Sequence, residues 1–491
     1  MMKNMFAKAS TPCLALMLIA TSPAERDWKS TLREDAQALH DNVEQNHPGS
    51  VNVLDPDFSN RNADGLHTAL NRAEEVSDYP GYLWAMRAYV AAFDDGHIFI
   101  RTSDAAPDLL VKWPGFFTGY DDAGRQIVRT KANDFPVALG AELIECDGTP
   151  AATWMADNVG AFRGRWDLLG QRMIHGGRLF MDVGNPYVSR PTQCTFSFDG
   201  TRMTANLNWR QISDEDLAEH FGATAPRFNA AIGSSTFGSG TRWFSLSDFD
   251  GEPDSEVFES LTTLIAEMRR DGDAIRSAPR VVLDLRGNGG GSSNWSKQIA
   301  EIIWGNARLA SLEGGSGYVE WRASPDNIAT MEEYRQLYAS SAEASQEMRQ
   351  WLDIAVTGMT SVLAAGEPLW REPSVEEPSS SDNTNDSDVI PPSQVYILTD
   401  WTCASACLDA VDLWRALGAI QVGQETSADT LYMDVREAIL PSGLSTIGMP
   451  MKVYRDRARG SNEPWSPVYQ YSGDMRSTQD IEAWIARLPI E

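Results

Sequence analysis

The chain has 491 residues, 42% of them hydrophobic and 22% charged, a length that exceeds what one compact core organises and predicts about three folded units. Its 69 acidic against 41 basic residues leave a net charge of −28. That balance excludes a nucleic-acid backbone or an anionic membrane surface as the main partner.

The first residues read as a leader. Lys3 and Lys8 flank the start, the apolar run Cys13–Ala20 follows, and Ser22-Pro23-Ala24 supplies small residues at the cleavage-determining positions. The pattern predicts a signal peptide over 1–24 and a periplasmic or secreted mature chain. The run is too short to span a bilayer, and no later segment approaches the roughly 20 apolar residues that a membrane helix needs, so no integral membrane segment is expected. Loss of Cys13 leaves Cys146, Cys194, Cys403 and Cys407, an even set suited to an oxidising compartment. Closeness in sequence favours Cys146 with Cys194 and Cys403 with Cys407, although other pairings are open. No histidine lies near them at ligand spacing, and neither a metal nor another cofactor is expected.

Beyond the leader, apolar positions recur at helical intervals from Asp27 to Asn46 and again from Tyr82 to Phe93, the second run ending in Asp94-Asp95-Gly96-His97. Residues 25–103 are therefore expected to form an N-terminal helical domain. Between 104 and 212 the pattern changes to short alternating runs such as Cys194-Thr195-Phe196-Ser197-Phe198, separated by Asp-Gly turns, which predicts a β domain. Its segment Leu139–Pro150 resembles the central strand of a PDZ domain, a module that binds peptide ends by strand addition. From 213 to 491 strands alternate with helices. Val281–Leu285 and Val395–Leu398 are continuous apolar runs of the kind buried on both faces of a sheet. The stretch 371–393, rich in Ser, Asp, Asn and Pro, is expected to be a mobile surface loop.

Two turns carry the candidate chemistry. Asp284-Leu285-Arg286-Gly287-Asn288-Gly289-Gly290-Gly291 follows one apolar strand and precedes a helix expected at Trp295–Ile303. Its glycines let the backbone turn sharply and leave N–H groups at a helix start, where developing negative charge is stabilised. A phosphate loop would need the lysine followed by Ser or Thr, which is missing. The second turn, Thr402-Cys403-Ala404-Ser405-Ala406-Cys407, places a serine at a helix start after the other strand. Alone, Ser405 reads as a helix cap. Beside the glycine turn it reads as a nucleophile for acyl transfer.

These residues resemble the serine peptidases that include C-terminal processing proteases, the tricorn core protease and the interphotoreceptor retinoid-binding protein. The likeness rests on Asp284–Gly291, on Ser405-Ala406, on the PDZ-like segment upstream, and on His47-Pro48 and Asp95-Gly96-His97, which are similar to tricorn-like members. It implies a crotonase-like α/β catalytic domain, Ser405 as nucleophile, and the N–H groups of Gly290 and Ala406 as oxyanion donors. The processing proteases carry a catalytic lysine about 25 residues after the serine. Here Thr430 stands there, and no lysine occurs between Ser405 and Lys452. The tricorn-like pattern implies His97 as the base instead, a residue type suited to proton transfer near neutral pH. A family glutamate late in the domain points to Glu463. His40, His67, His175 and His220 are expected at the surface. The sequence thus predicts a peptide or protein substrate. A non-catalytic peptide- or lipid-binding protein on the same scaffold is the alternative, and an acyl-CoA enzyme is disfavoured by export.

Overall fold

The computed structural model describes residues 26–489 except 122, 226–227, 229, 254, 314–316, 341–345, 374–388 and 393. The expected leader over 1–24 and most of the 371–393 stretch lie outside the described residues. Helix Trp28–Asn46 starts where the Asp27 carboxylate accepts the N–H groups of Lys29 and Ser30, and stops before His47-Pro48. Its buried Leu32, Ala36, Leu39 and Val43 share one face. That face meets helices Phe58–Ala73 and Tyr79–Ala91, and also Ile447, Met449 and Val453 of the strand Ser445–Arg455. The N-terminal helices therefore share their core with a strand from the far end of the chain. Strand Phe99–Thr102 joins the same sheet, antiparallel to Ser445–Arg455 with Phe99 opposite Gly448. A side-chain carbon at 448 would come within 2.3 Å of the Phe99 ring, so glycine there lets the ring lie against the backbone.

A β unit follows, built from strands Phe116–Tyr120, Gln126–Lys131, Glu142–Cys146, Gln193–Phe198 and Thr201–Asn206 in that order. Cys146 and Cys194 face each other on neighbouring strands and are disulfide-bonded. The remaining chain supplies a six-stranded sheet ordered Gly233–Thr236, Arg242–Ser245, Val281–Asp284, Val395–Thr399, Ile420–Gly423 and Tyr469–Gln470, parallel from the second strand onward. Helices Glu256–Arg270, Asn294–Trp304 and Ala406–Ala416 pack on one face through Leu264, Ile299, Ala410 and Trp414, which are buried.

Register decides what this sheet presents. Val281 pairs with Val395 and Asp284 with Leu398, so the glycine turn and the serine turn leave two adjacent parallel strands at the same edge. Carboxyl ends of such strands are where parallel sheets place their chemistry. Asp284 closes its strand almost wholly buried, and its carboxylate accepts from Arg286 Nε at 2.8 Å and Nη2 at 2.6 Å. Arg286 also donates to the Met475 carbonyl at 2.5 Å and stacks 3.6 Å from the Phe228 ring centroid. Removing one member of a buried pair strands the other charge. Asp284→Ala is therefore expected to lower stability by about 3–5 kcal/mol, measured as the chemical-unfolding midpoint; a change within 0.5 kcal/mol or so, the range of an ordinary surface substitution, would show that the pair does not anchor this turn.

Candidate active site

Ser405 is the residue on which the site is built. It stands immediately before helix Ala406–Ala416 with φ 54° and ψ −125°, and its side chain makes no capping hydrogen bond. A non-glycine residue in this region costs on the order of 1–3 kcal/mol and persists only where its surroundings impose it. The surroundings are visible. Ser405 N–H donates to Asp429 Oδ2 at 3.1 Å, its carbonyl accepts from Leu408 N at 2.8 Å, and a Cys403–Cys407 disulfide brackets it. Asp429 is itself held by Arg459 Nη1 at 2.7 Å and Arg457 Nη1 at 3.4 Å. The capping explanation for this serine is thus the one the geometry does not support.

The glycine turn lies directly against it. A side-chain carbon at Gly290, where φ is 110°, would fall 2.7 Å from Ser405 Cβ and 3.1 Å from Ala406 N. Buried Asp400 ties the two turns together: one carboxylate oxygen accepts Gly287 N–H at 3.0 Å, and the other accepts from Thr402 N–H at 2.9 Å and from its hydroxyl. Burial pushes the Asp400 carboxyl up, against the opposing pull of those donors. Among the described residues Ala406 N–H has no acceptor, whereas Gly290 N–H donates to Asn288 Oδ1 at 2.8 Å. A cavity of about 770 Å³ borders this edge at Ser292, Asn294 and Trp295, just beyond the glycine turn.

His97 sits on the turn between helix Tyr79–Ala91 and strand Phe99–Thr102. Its backbone N–H donates to Asp95 Oδ1 at 2.7 Å, and its Nδ1 lies 3.8 Å from the same oxygen. Burial raises the Asp95 carboxyl, opposed by His97, by Thr430 and by Arg165. Asp95 Oδ2 accepts from Thr430 Oγ1 at 2.8 Å. Thr430 adjoins Asp429, so two consecutive residues hold the serine turn and the histidine turn. Arg165 completes the support: it donates to Ala428 O at 2.6 Å, its backbone N–H meets Asp94 Oδ1, and its guanidinium fills the space a side chain at Gly96 would need.

The other expected residues fall elsewhere. Glu463 is exposed and accepts Gly460 N–H at 2.7 Å, although its neighbour Asn462 donates to Asp94 O at 2.8 Å and brings that loop to the histidine turn. His47 is fully buried, stacked on Phe58 at 4.4 Å, with Nδ1 accepting Gly49 N–H. Burial, then Arg61, pushes its imidazole well below the ordinary value, marking a neutral structural ring. Of the histidines expected at the surface, only His67 is exposed; His40, His175 and His220 are half-buried, the last with Nδ1 2.5 Å from Thr130 Oγ1. Sequence reasoning overlooked Asp95, Asp429 and Asp400. Asp95 adjoins the quoted Gly-His pair, and Asp429 directly precedes the position noted only for lacking lysine.

Residues 243–464, which contain both turns, match the model of peptidase family S41. This segment belongs to peptidase family S41. The chain is accordingly a serine-type peptidase. Mature CPAF shares the fold over 90% of this sequence and 93% of its own, at 13% identity and a TM-score of 0.57. The complex of mature CPAF with lactacystin aligns over 90% and 94%, at 13% identity and a TM-score of 0.56. No curated protein matches the chain in sequence. Among the described residues no helix is long and apolar enough to cross a membrane, and no group of three or more His, Cys, Asp or Glu could hold a metal ion.

The contact between the S41 turns generates a direct expectation. In Gly290→Ala the added carbon must displace Ser405, and a shift of about 1 Å at a reacting group costs about 100-fold in rate. Peptide turnover should fall by at least about that factor while the circular dichroism spectrum is retained; unchanged turnover would mean that the two turns need not touch for catalysis.

Proposed function

We propose that the chain is an exported peptidase that hydrolyses peptide bonds through an acyl-enzyme on Ser405, with His97 as general base. One observation carries this reading: Ser405 is held at positive φ, uncapped, against the glycine turn. His97 takes the Ser405 Oγ proton as that oxygen bonds to the substrate carbonyl carbon. The resulting imidazolium protonates the leaving amine as the C–N bond breaks, and water then releases the acyl group by the same route reversed. Ala406 N–H is the donor ready for the oxyanion. Gly290 N–H joins it by exchanging Asn288 Oδ1 for the substrate oxygen.

Histidine rather than lysine is the base in this reading because each candidate lysine position is accounted for. Thr430 occupies the family's lysine place and spends its hydroxyl on Asp95. Lys452 Nζ lies 2.5 Å from Asp434 and 5.2 Å from the Trp321 ring centroid. Burial disfavours its charge, but Asp434 and Tyr454 outweigh burial and raise its proton affinity. Asp95, with its carboxylate 3.8 Å from His97 Nδ1, acts as the positioning residue, whereas Glu463 is exposed and accepts Gly460 N–H. The PDZ-like β unit supplies peptide binding, the parallel sheet is the crotonase-like catalytic core, and the leader with two disulfides supports a periplasmic or secreted location.

A fluorophosphonate probe should label the folded protein at Ser405, with no adduct in Ser405→Ala and labelling slowed about 100-fold or more in His97→Ala, the usual contribution of a positioned base. Absence of labelling in pure, folded protein, or an undiminished adduct in Ser405→Ala, would contradict the assignment.

A further inference from the structure

Away from Ser405, between the N-terminal helices and the β unit, lies a cavity of about 190 Å³ whose lining includes Trp84, Arg87, Arg163, Arg178 and the apolar Val159 and Leu179. The arginines are unusual for their company. In a chain of net charge −28, none of these three is ion-paired with a carboxylate among the described residues; the groups acting on Arg163 are Arg178 and Arg87, and the one acting on Arg178 is Arg87. Asp182, the carboxylate in the lining, is committed to Arg190 Nη1 at 2.8 Å and Gly184 N–H at 2.8 Å. Arg178 Nε donates to His175 Nδ1 at 3.0 Å rather than to a carboxylate.

Two further observations point to a missing partner. The Trp84 indole N–H is buried without an acceptor on a side chain only 8% exposed, and Arg163 Nε is likewise buried and unpartnered. Both belong to the cavity lining, and Arg87 and Arg163 approach the Trp84 ring centroid at 4.9 and 5.6 Å. Burial lowers the proton affinity of Arg87 and Arg163, and with Arg87 nearby pushes Arg178 down to about 10. Guanidinium groups nonetheless stay protonated near neutral pH. The free protein therefore bears buried positive charge and unsatisfied donors, each of which costs free energy unless an acceptor arrives.

We propose that this cavity is a binding site for a small organic oxyanion, its charged head on Arg87, Arg163, Arg178 and the Trp84 N–H and its short apolar body against Val159 and Leu179. Planar guanidinium forks suit phosphate and carboxylate oxygens, and the volume is below the roughly 300 Å³ at which drug-sized ligand pockets begin, which restricts the body to a ring or a few carbons. The site is distinct from the Ser405 turn.

Isothermal titration of the full purified chain with phenyl phosphate, at constant ionic strength, tests it. The expected result is saturable one-to-one binding, weaker binding of inorganic phosphate, and none of neutral benzyl alcohol. Arg163→Gln should weaken phenyl phosphate at least tenfold, and Trp84→Phe, which keeps a ring but removes the N–H, should weaken it severalfold. Arg163→Gln should also melt no lower than the wild type without ligand, since it removes an uncompensated charge; should that variant not fold, Arg87→Gln reads out the same loss of affinity. No saturable binding, binding as tight for benzyl alcohol, or affinity unchanged in the folded variants would overturn the proposal.

Discussion

Everything at the candidate centre depends on two consecutive side chains, Asp429 and Thr430. Asp429 accepts the Ser405 N–H, and Thr430 donates to the Asp95 carboxylate that receives the His97 N–H. The serine turn belongs to the parallel sheet, whereas the histidine turn comes from the N-terminal helices some three hundred residues earlier. Strand register and the buried Asp400 carboxylate together align the first with the glycine turn. This short segment, steadied by Arg459 and Arg457 on one side and Arg165 on the other, couples the second to both, alongside the Asn462 amide that donates to Asp94 O. Loss of either bond would loosen the relation between the two turns.

The region is rich in buried charge, and such charge is retained at a cost. Asp284 with Arg286, Asp429 with Arg459, and Asp400 with its N–H donors each place a carboxylate in a nearly dry interior. Well-packed apolar groups would serve stability as well or better. What the charges contribute is fixed geometry: each carboxylate oxygen receives a specified donor, so glycine, serine and histidine turns are held in one arrangement. The strained φ of Ser405 is sustained in that frame, where an uncapped serine lies against the glycine turn.

Much of this was legible in the sequence where the signal is local. Apolar runs marked both central strands, and the helix expected at Trp295–Ile303 is found at Asn294–Trp304. The Cys146–Cys194 and Cys403–Cys407 pairs are both formed. Helix Phe58–Ala73 was missed because, after Phe58 at its start, its buried positions are Asn62, Gly65, Ala69 and Ala73, which carry little hydrophobic periodicity. Helices Pro325–Ser340 and Gln346–Ala364 went unread for a related reason: their core partners, Trp321 and Trp370, come from strands too short to announce themselves. The carboxylates Asp95, Asp400 and Asp429 could not be separated from the many surface acids of so acidic a chain, since burial is set by tertiary contacts. Thr430 was noticed only for what it is not, and its role required the fold.

The central claim is that Ser405 and His97 act on one substrate carbonyl. It is tested most directly by a crystal structure of the enzyme bearing a peptidyl phosphonate on Ser405, in which the separation of the His97 ring from the Ser405 oxygen is measured. The account predicts hydrogen-bond reach, about 2.6–3.2 Å directly or through one water. A phosphonate bound to Ser405 with another side chain in that place, and the His97 ring turned away from it, would contradict the account.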